Sequence, residues 1–165
     1  MNASDSALTR VAARAGRHLL RTERWVTTAE SCTGGWISKA LTDIAGSSQW
    51  FAEGFVTYGN EAKISRLGVK KSALRADGAV SESVARAMAQ GALRRTGASV
   101  SVAVTGIAGP GGAVAGKPVG TVWLAWAVKR GRRVDVTTQL EHFEGDRDAV
   151  RRQTVHAALI GILTR

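Results

Sequence analysis

The sequence predicts an α/β fold: a three-layer α/β/α sandwich around a mixed, mostly parallel five-stranded sheet. Three observations lead there. Five short apolar or β-branched runs are separated, for the most part, by amphipathic helical patterns, the order expected of strands joined by helices. The run at 100–105 (VSVAVT) has the unbroken apolar density of a central strand covered on both faces. The runs at 121–128 and 134–142 are joined by a short basic turn at 129–133 (KRGRR), and a hairpin requires at least one antiparallel strand.

The elements follow in order. Residues 5–23 read as an amphipathic helix, with Leu8, Val11, Ala12, Ala15, Leu19 and Leu20 in one stripe and arginines opposite. The run 25–28 (WVTT) is the first strand, and 29–35 (AESCTGG) turns it into a second helix that ends near Gly46. Ser47-Ser48-Gln49 caps a short turn carrying Trp50 and Phe51. The second strand is 54–58 (GFVTY); Asn60 then caps a helix that holds Lys63 and stops at Gly68. A helical stretch at 70–76 precedes Ser81, the cap of a helix at 82–96 that Gly97 ends, and whose alanine-rich inner side permits close packing on a sheet. The central strand runs into 106–120, the most glycine-rich segment, and after the hairpin Asp146 caps the last helix. No repeat or linker interrupts the series, so residues 1–165 are expected to form one domain.

Composition narrows the function. At 165 residues and 17.4 kDa, with 44% apolar residues and a mean hydropathy of -0.05, the chain can bury a core without staples. Its one cysteine, Cys32, rules out an internal disulfide and a cysteine-cluster metal site, and the three histidines are scattered. A reducing cytoplasm is the expected compartment. No segment approaches the about 20 apolar residues of a membrane span, and 1–10 lack the apolar core of a signal peptide. The net charge of +10 arises from 17 arginines and 6 lysines against 13 acidic residues. The arginines fall singly or in pairs on helical faces and in the hairpin-like turn at 129–133, with no aromatic residues interleaved as a stacking platform, so solvated faces are favoured over a nucleic-acid site.

Chemistry is expected at the strand-to-helix turn. Ser31 stands there with a free hydroxyl, and the amides of Thr33, Gly34 and Gly35 are expected as open helix-terminal donors for an anion or a developing oxyanion. The stretch alone fits a plain cap and tight turn equally well. Tyr58 at a strand end and Lys63 on the next helix complete a nucleophile, relay and base, because a serine needs a base and a lysine serves only when its pKa is lowered enough to leave it neutral. Spacing does not bring them together; an exposed helix lysine is the plainer account of Lys63. The loop after Thr105 offers clustered amides for a phosphate, with positive φ expected at Gly111 and Gly112 and only Lys117 as fixed charge. It lacks the Walker spacing.

Several ordered motifs carry a resemblance. AESCTGG at 29–35, GFVTYGNEAK at 54–63, LGV at 67–69, GAVSESVA at 78–85, VAVTGIAGPGG at 102–112 and KPVGTVW at 117–123 together resemble the C-terminal domain of the competence and damage-inducible protein CinA, over essentially the whole chain. That family includes stand-alone nicotinamide-nucleotide amidohydrolases, which convert nicotinamide mononucleotide to nicotinate mononucleotide and ammonia. The resemblance implies a serine–lysine hydrolase with Ser31 as nucleophile, Lys63 as base and Tyr58 as its polar partner. It also implies a mononucleotide substrate, a homo-oligomer, and neither metal nor cofactor. The substrate-binding set expected is Glu30, Thr33, Gly34, Gly35, Thr105, Gly106, Gly109, Gly111 and Gly112. The chain starts near the domain start, so the stand-alone form is expected, and Gly59 replaces the serine of the relatives' common YSNEAK, which is expected to loosen the Tyr58 turn. The rival readings are a non-catalytic nucleotide-binding module and, with less support, a DNA-associated protein.

Overall fold

The computed structural model describes residues 4–165. In chain order these form α1 (Asp5–Arg21), β1 (Val26–Glu30), α2 (Trp36–Thr42), a 3-10 turn (Ser47–Gln49), β2 (Phe51–Val56), α3 (Asn60–Leu67), α4 (Lys71–Asp77), α5 (Glu82–Thr96), β3 (Val100–Gly106), β4 (Thr121–Arg130), β5 (Arg133–His142) and α6 (Arg147–Leu163). The five strands make one sheet in the order β2-β1-β3-β4-β5. β1 pairs in parallel with both β2 and β3, while β4 is antiparallel to β3 and to β5. Four strands therefore point one way and β4 opposes them, the mixed sheet that the hairpin demanded.

The sheet is covered on both faces. On one, α1, α2 and α6 supply Leu8, Leu19, Ile37, Leu41, Leu159 and Ile162 to a core with Val26, Val102, Val104 and Leu124. On the other, α3 and α5 supply Leu67, Val84, Met88 and Ala92 against Ala29, Ala103 and Ala125. Small residues set the distances between layers. A Cβ at Gly161 would lie 2.2 Å from the Trp126 indole, whose Nε1 donates to the Ala158 carbonyl at 3.0 Å.

The α3–α5 contact matters most for function because α3 carries Lys63. At Gly91 a Cβ would stand 2.1 Å from the Leu67 carbonyl oxygen, a backbone atom that cannot swing aside. Gly91→Ala should therefore destabilise the fold by about 1–3 kcal/mol through overpacking, although alanine is the better helix former. Urea unfolding checks this; a gain in stability would mean that the two helices are free to separate.

Several boundaries differ from expectation, and pairing accounts for most of them. α1 stops at Arg21, and Leu20 is exposed rather than in the buried stripe. β1 extends to Glu30 because it pairs through to Val104 and Val56. β2 starts at Phe51, opposite Val26, and ends before Thr57, so Phe51 is strand rather than turn. Asn60 is the first helical residue, not the cap: that position belongs to Gly59, which makes no side-chain bond. The 106–120 loop is strapped at its base, where Ile107 N donates to Thr121 O (2.9 Å) and Gly120 N to Ile107 O (2.8 Å).

Candidate active site

The ends of β1, β2 and β3 lie side by side at one sheet edge, so Ser31, the Thr57–Tyr58 turn and Ile107 emerge together. Side chains alternate along a strand, so continuing β1 through Glu30 sends Glu30 and Ser31 to opposite faces. Glu30 goes under α2, fully buried. Its Oε2 accepts from Thr33 Oγ1 (2.6 Å), Gly35 N (3.1 Å) and Ile37 N (2.9 Å), and its Oε1 from Ser38 N (2.8 Å) and Ser38 Oγ (2.7 Å). This carboxylate closes the start of α2 and has no surface for a substrate, which corrects the binding role expected of Glu30. It also takes the Gly35 amide, and Gly34 N is bonded to the Ser31 carbonyl at 3.0 Å. Of the three amides expected to be open, only that of Thr33 is unpaired among the described residues; the Cys32 amide is likewise unpaired.

Ser31 faces α3. Lys63 Nζ, on the first turn of that helix, lies 3.0 Å from Ser31 Oγ, 2.9 Å from the Thr57 carbonyl oxygen and 3.0 Å from that of Tyr58. Lys63 is 1% exposed and Ser31 8%. No carboxylate pairs with Lys63 among the described residues, and burial holds its pKa below the ordinary lysine value. Three oxygens surround Nζ, two carbonyls and the Ser31 hydroxyl, which an ammonium fills with three donors. In the neutral form the two carbonyls would take its two N–H bonds and leave the lone pair for the Ser31 hydroxyl. Cys32, the other nucleophilic side chain of the turn, is buried away from water, which pushes its thiol up to about 12 and keeps it protonated.

Tyr58 takes a different position from that expected. Its ring is 57% exposed and its hydroxyl accepts from Arg147 Nη2 at 2.9 Å. What Tyr58 gives Lys63 is its backbone carbonyl; the phenol is no relay, because the amine reaches Ser31 directly. Arg147, the first residue of α6, also donates from Nη1 to the Gly109 carbonyl at 2.7 Å, joining the β2 turn to the β3 loop. It has no carboxylate within 4 Å among the described residues. Sequence reasoning passed over Arg147. The signal was its place after the Asp146 cap, at the end of the strand-terminal edge where the last helix begins.

The remaining expected residues divide. Thr105 continues the register Glu30↔Val104, so it lies beside Ser31, and its hydroxyl donates to the Ala79 carbonyl at 2.8 Å. Gly106 is the last residue of β3, paired with Val122. Gly109 and Gly112 have positive φ (86° and 92°), whereas Gly111 does not, and a Cβ at Gly111 would meet nothing within 4 Å. Lys117 reaches away from the glycines to the Asp77 carbonyl at the end of α4, 2.8 Å away. The described residues hold no group of three or more His, Cys, Asp or Glu suited to a metal, and no helix long and apolar enough to cross a membrane.

Comparisons with known proteins identify what the chain is similar to. Residues 8–165 match the family model of the CinA C-terminal domain. The chain is 53% identical over 156 residues to the nicotinamide-nucleotide amidohydrolase PncC of Escherichia coli strain K12, covering 94% of this chain and 93% of the relative. It is 52% identical to the protein of the same name from Pseudomonas putida, with 94% and 95% covered. Among solved structures, the competence/damage inducible protein CihA from Agrobacterium tumefaciens superposes with a TM-score of 0.91 at 44% identity, over 98% of this chain and 95% of that one.

Proposed function

This chain belongs to the CinA C-terminal domain family, and we propose that it is an amidohydrolase that deamidates nicotinamide mononucleotide to nicotinate mononucleotide through Ser31 and Lys63. The observation that carries the reading is the 3.0 Å approach of a buried, carboxylate-free Lys63 Nζ to Ser31 Oγ. The reaction follows from it. Neutral Lys63 takes the Ser31 proton as Oγ attacks the carboxamide carbon, and the resulting ammonium hands that proton to the departing nitrogen. Ammonia leaves and an ester on Ser31 remains. Lys63 then takes a proton from water as the hydroxide attacks the ester and returns it to Ser31 Oγ as the C–O bond breaks; the acid loses its proton to solvent and departs as the carboxylate. The first transfer is between atoms 3.0 Å apart. Purified protein should release ammonia from nicotinamide mononucleotide faster than from nicotinamide or from NAD. A preference for free nicotinamide would overturn the nucleotide reading. The same family membership supports a homo-oligomer, which light scattering of the purified chain would test.

Two further expectations test the parts. Because only neutral Lys63 can accept a proton, kcat/KM should fall as pH drops through its lowered pKa, with the acid limb below the ordinary lysine value of about 10.4. A limb at the ordinary lysine value would contradict a buried base. Arg147 is the fixed cation against the Gly109–Gly112 turn, and we assign it, with the backbone donors of that loop, to the substrate phosphate. Arg147→Met should raise KM for the mononucleotide much more than for the phosphate-free riboside, and Lys117→Met should do less. Equal losses on both substrates would limit Arg147 to bracing Tyr58 and Gly109.

A further inference from the structure

Thr33 is held from behind the nucleophile turn. It has no exposed surface; its hydroxyl donates to Glu30, and its carbonyl accepts from Trp36 N (3.3 Å) and from Arg151 Nη2 (2.8 Å). Arg151 lies on α6, with its guanidinium carbon 5.3 Å from the centre of the Trp36 ring. Among the described residues it has no carboxylate within 4 Å, its Nε is buried without an acceptor, and the Thr33 carbonyl is its one hydrogen-bond partner. A half-buried guanidinium with five donors and one acceptor is costly unless its charge serves something nearby. Burial is the main cause that raises the pKa of the Cys32 thiol next to Ser31; of the charges near it, Glu30 raises it while Arg151 and Lys63 lower it.

We propose that Arg151 is the positioning residue of the nucleophile turn: through the Thr33 carbonyl it fixes the turn that carries Ser31, and its charge offsets that of buried Glu30 where the oxyanion forms. This rests on the acyl-transfer reading above. Glu30 ties down α2 with five hydrogen bonds, yet its negative charge opposes a second negative charge on the carboxamide oxygen as Ser31 attacks. Arg151 stands on the same side of the turn and supplies the opposite sign. It touches no reacting atom, so its effect should reside in kcat. Arg151 also lines a cavity of about 490 Å³ with Lys39, Arg152 and Trp36, and an anion seated there would give it a different role, that of a phosphate ligand.

The test separates these roles, and its labelling arm does not depend on the amide substrate. For Arg151→Met, kcat should fall by about ten- to a hundredfold, equally for mononucleotide and riboside, with KM changed by less than about threefold. Arg151→Lys, which keeps the charge but not the planar fork, should recover part of the loss. Labelling of Ser31 by a fluorophosphonate, followed by mass spectrometry, should slow in the same order, because phosphonylation also places negative charge on an oxygen at this turn. If the methionine variant fails to fold, the lysine variant gives the same reading against wild type. A KM increase confined to the mononucleotide would make Arg151 a phosphate ligand and overturn the proposal. Unchanged labelling and kcat in a folded variant would overturn it too. Should wild type label at Ser31 without releasing ammonia, the substrate assignment fails, and the labelling rates still decide the role of Arg151.

Discussion

Lys63→Met is expected to lower kcat/KM by at least about a hundredfold, the range of a lost general base, while the protein stays folded. The substitution keeps the length of the stem in a site that is 1% exposed and removes the one group among the described residues within hydrogen-bond distance of Ser31 Oγ that can accept its proton. Lys63→Arg should not restore activity. A guanidinium stays protonated, and its planar fork does not fit a nitrogen held by two carbonyls and one hydroxyl. Circular dichroism and steady-state kinetics on both variants check this. A fully active arginine variant would reduce Lys63 to an electrostatic role.

The largest loss is expected from Ser31→Ala, which should abolish turnover and leave folding and mononucleotide binding intact. Ser31 contributes little to the fold through its side chain: the strand continuity at this point comes from its backbone, whose amide donates to the Val104 carbonyl at 3.1 Å. The hydroxyl's partner in the described residues is Lys63, and a neutral amine that loses it can bind water instead. Calorimetric titration of the variant with substrate, beside an ammonia assay, separates binding from chemistry. Near-normal turnover by the folded variant would exclude Ser31 as nucleophile.

The sequence announced the layers and the strand-to-helix turn, because periodicity, caps and glycines are local signals. Five strands, the antiparallel hairpin and the placement of Ser31 at the sheet edge were legible in that way. The sides of the turn were not. Whether Glu30 lies beside the substrate or under α2 depends on β1 running two residues further, and that is fixed by pairing with β3, 70 and more positions away. Separation along the chain, 38 and 89 positions, also hid Arg147, whose partners Gly109 and Tyr58 belong to two other segments. Lys117 looked like the charge of the glycine loop because it is in that loop; its ammonium instead satisfies the end of α4. The resemblance implied Tyr58 as the polar partner of Lys63, but its contact is through the carbonyl, which no side-chain reading distinguishes.

The account stands on an ester at Ser31 that forms and breaks within each turnover, and trapping with hydroxylamine tests it directly. The amide and a methyl ester of the same mononucleotide should pass through one acyl-enzyme, so the ratio of hydroxamate to nicotinate mononucleotide should be identical from the two substrates at each hydroxylamine concentration. A ratio that depends on the leaving group would mean that water attacks the carboxamide without a covalent intermediate, and the nucleophilic role of Ser31 would fall.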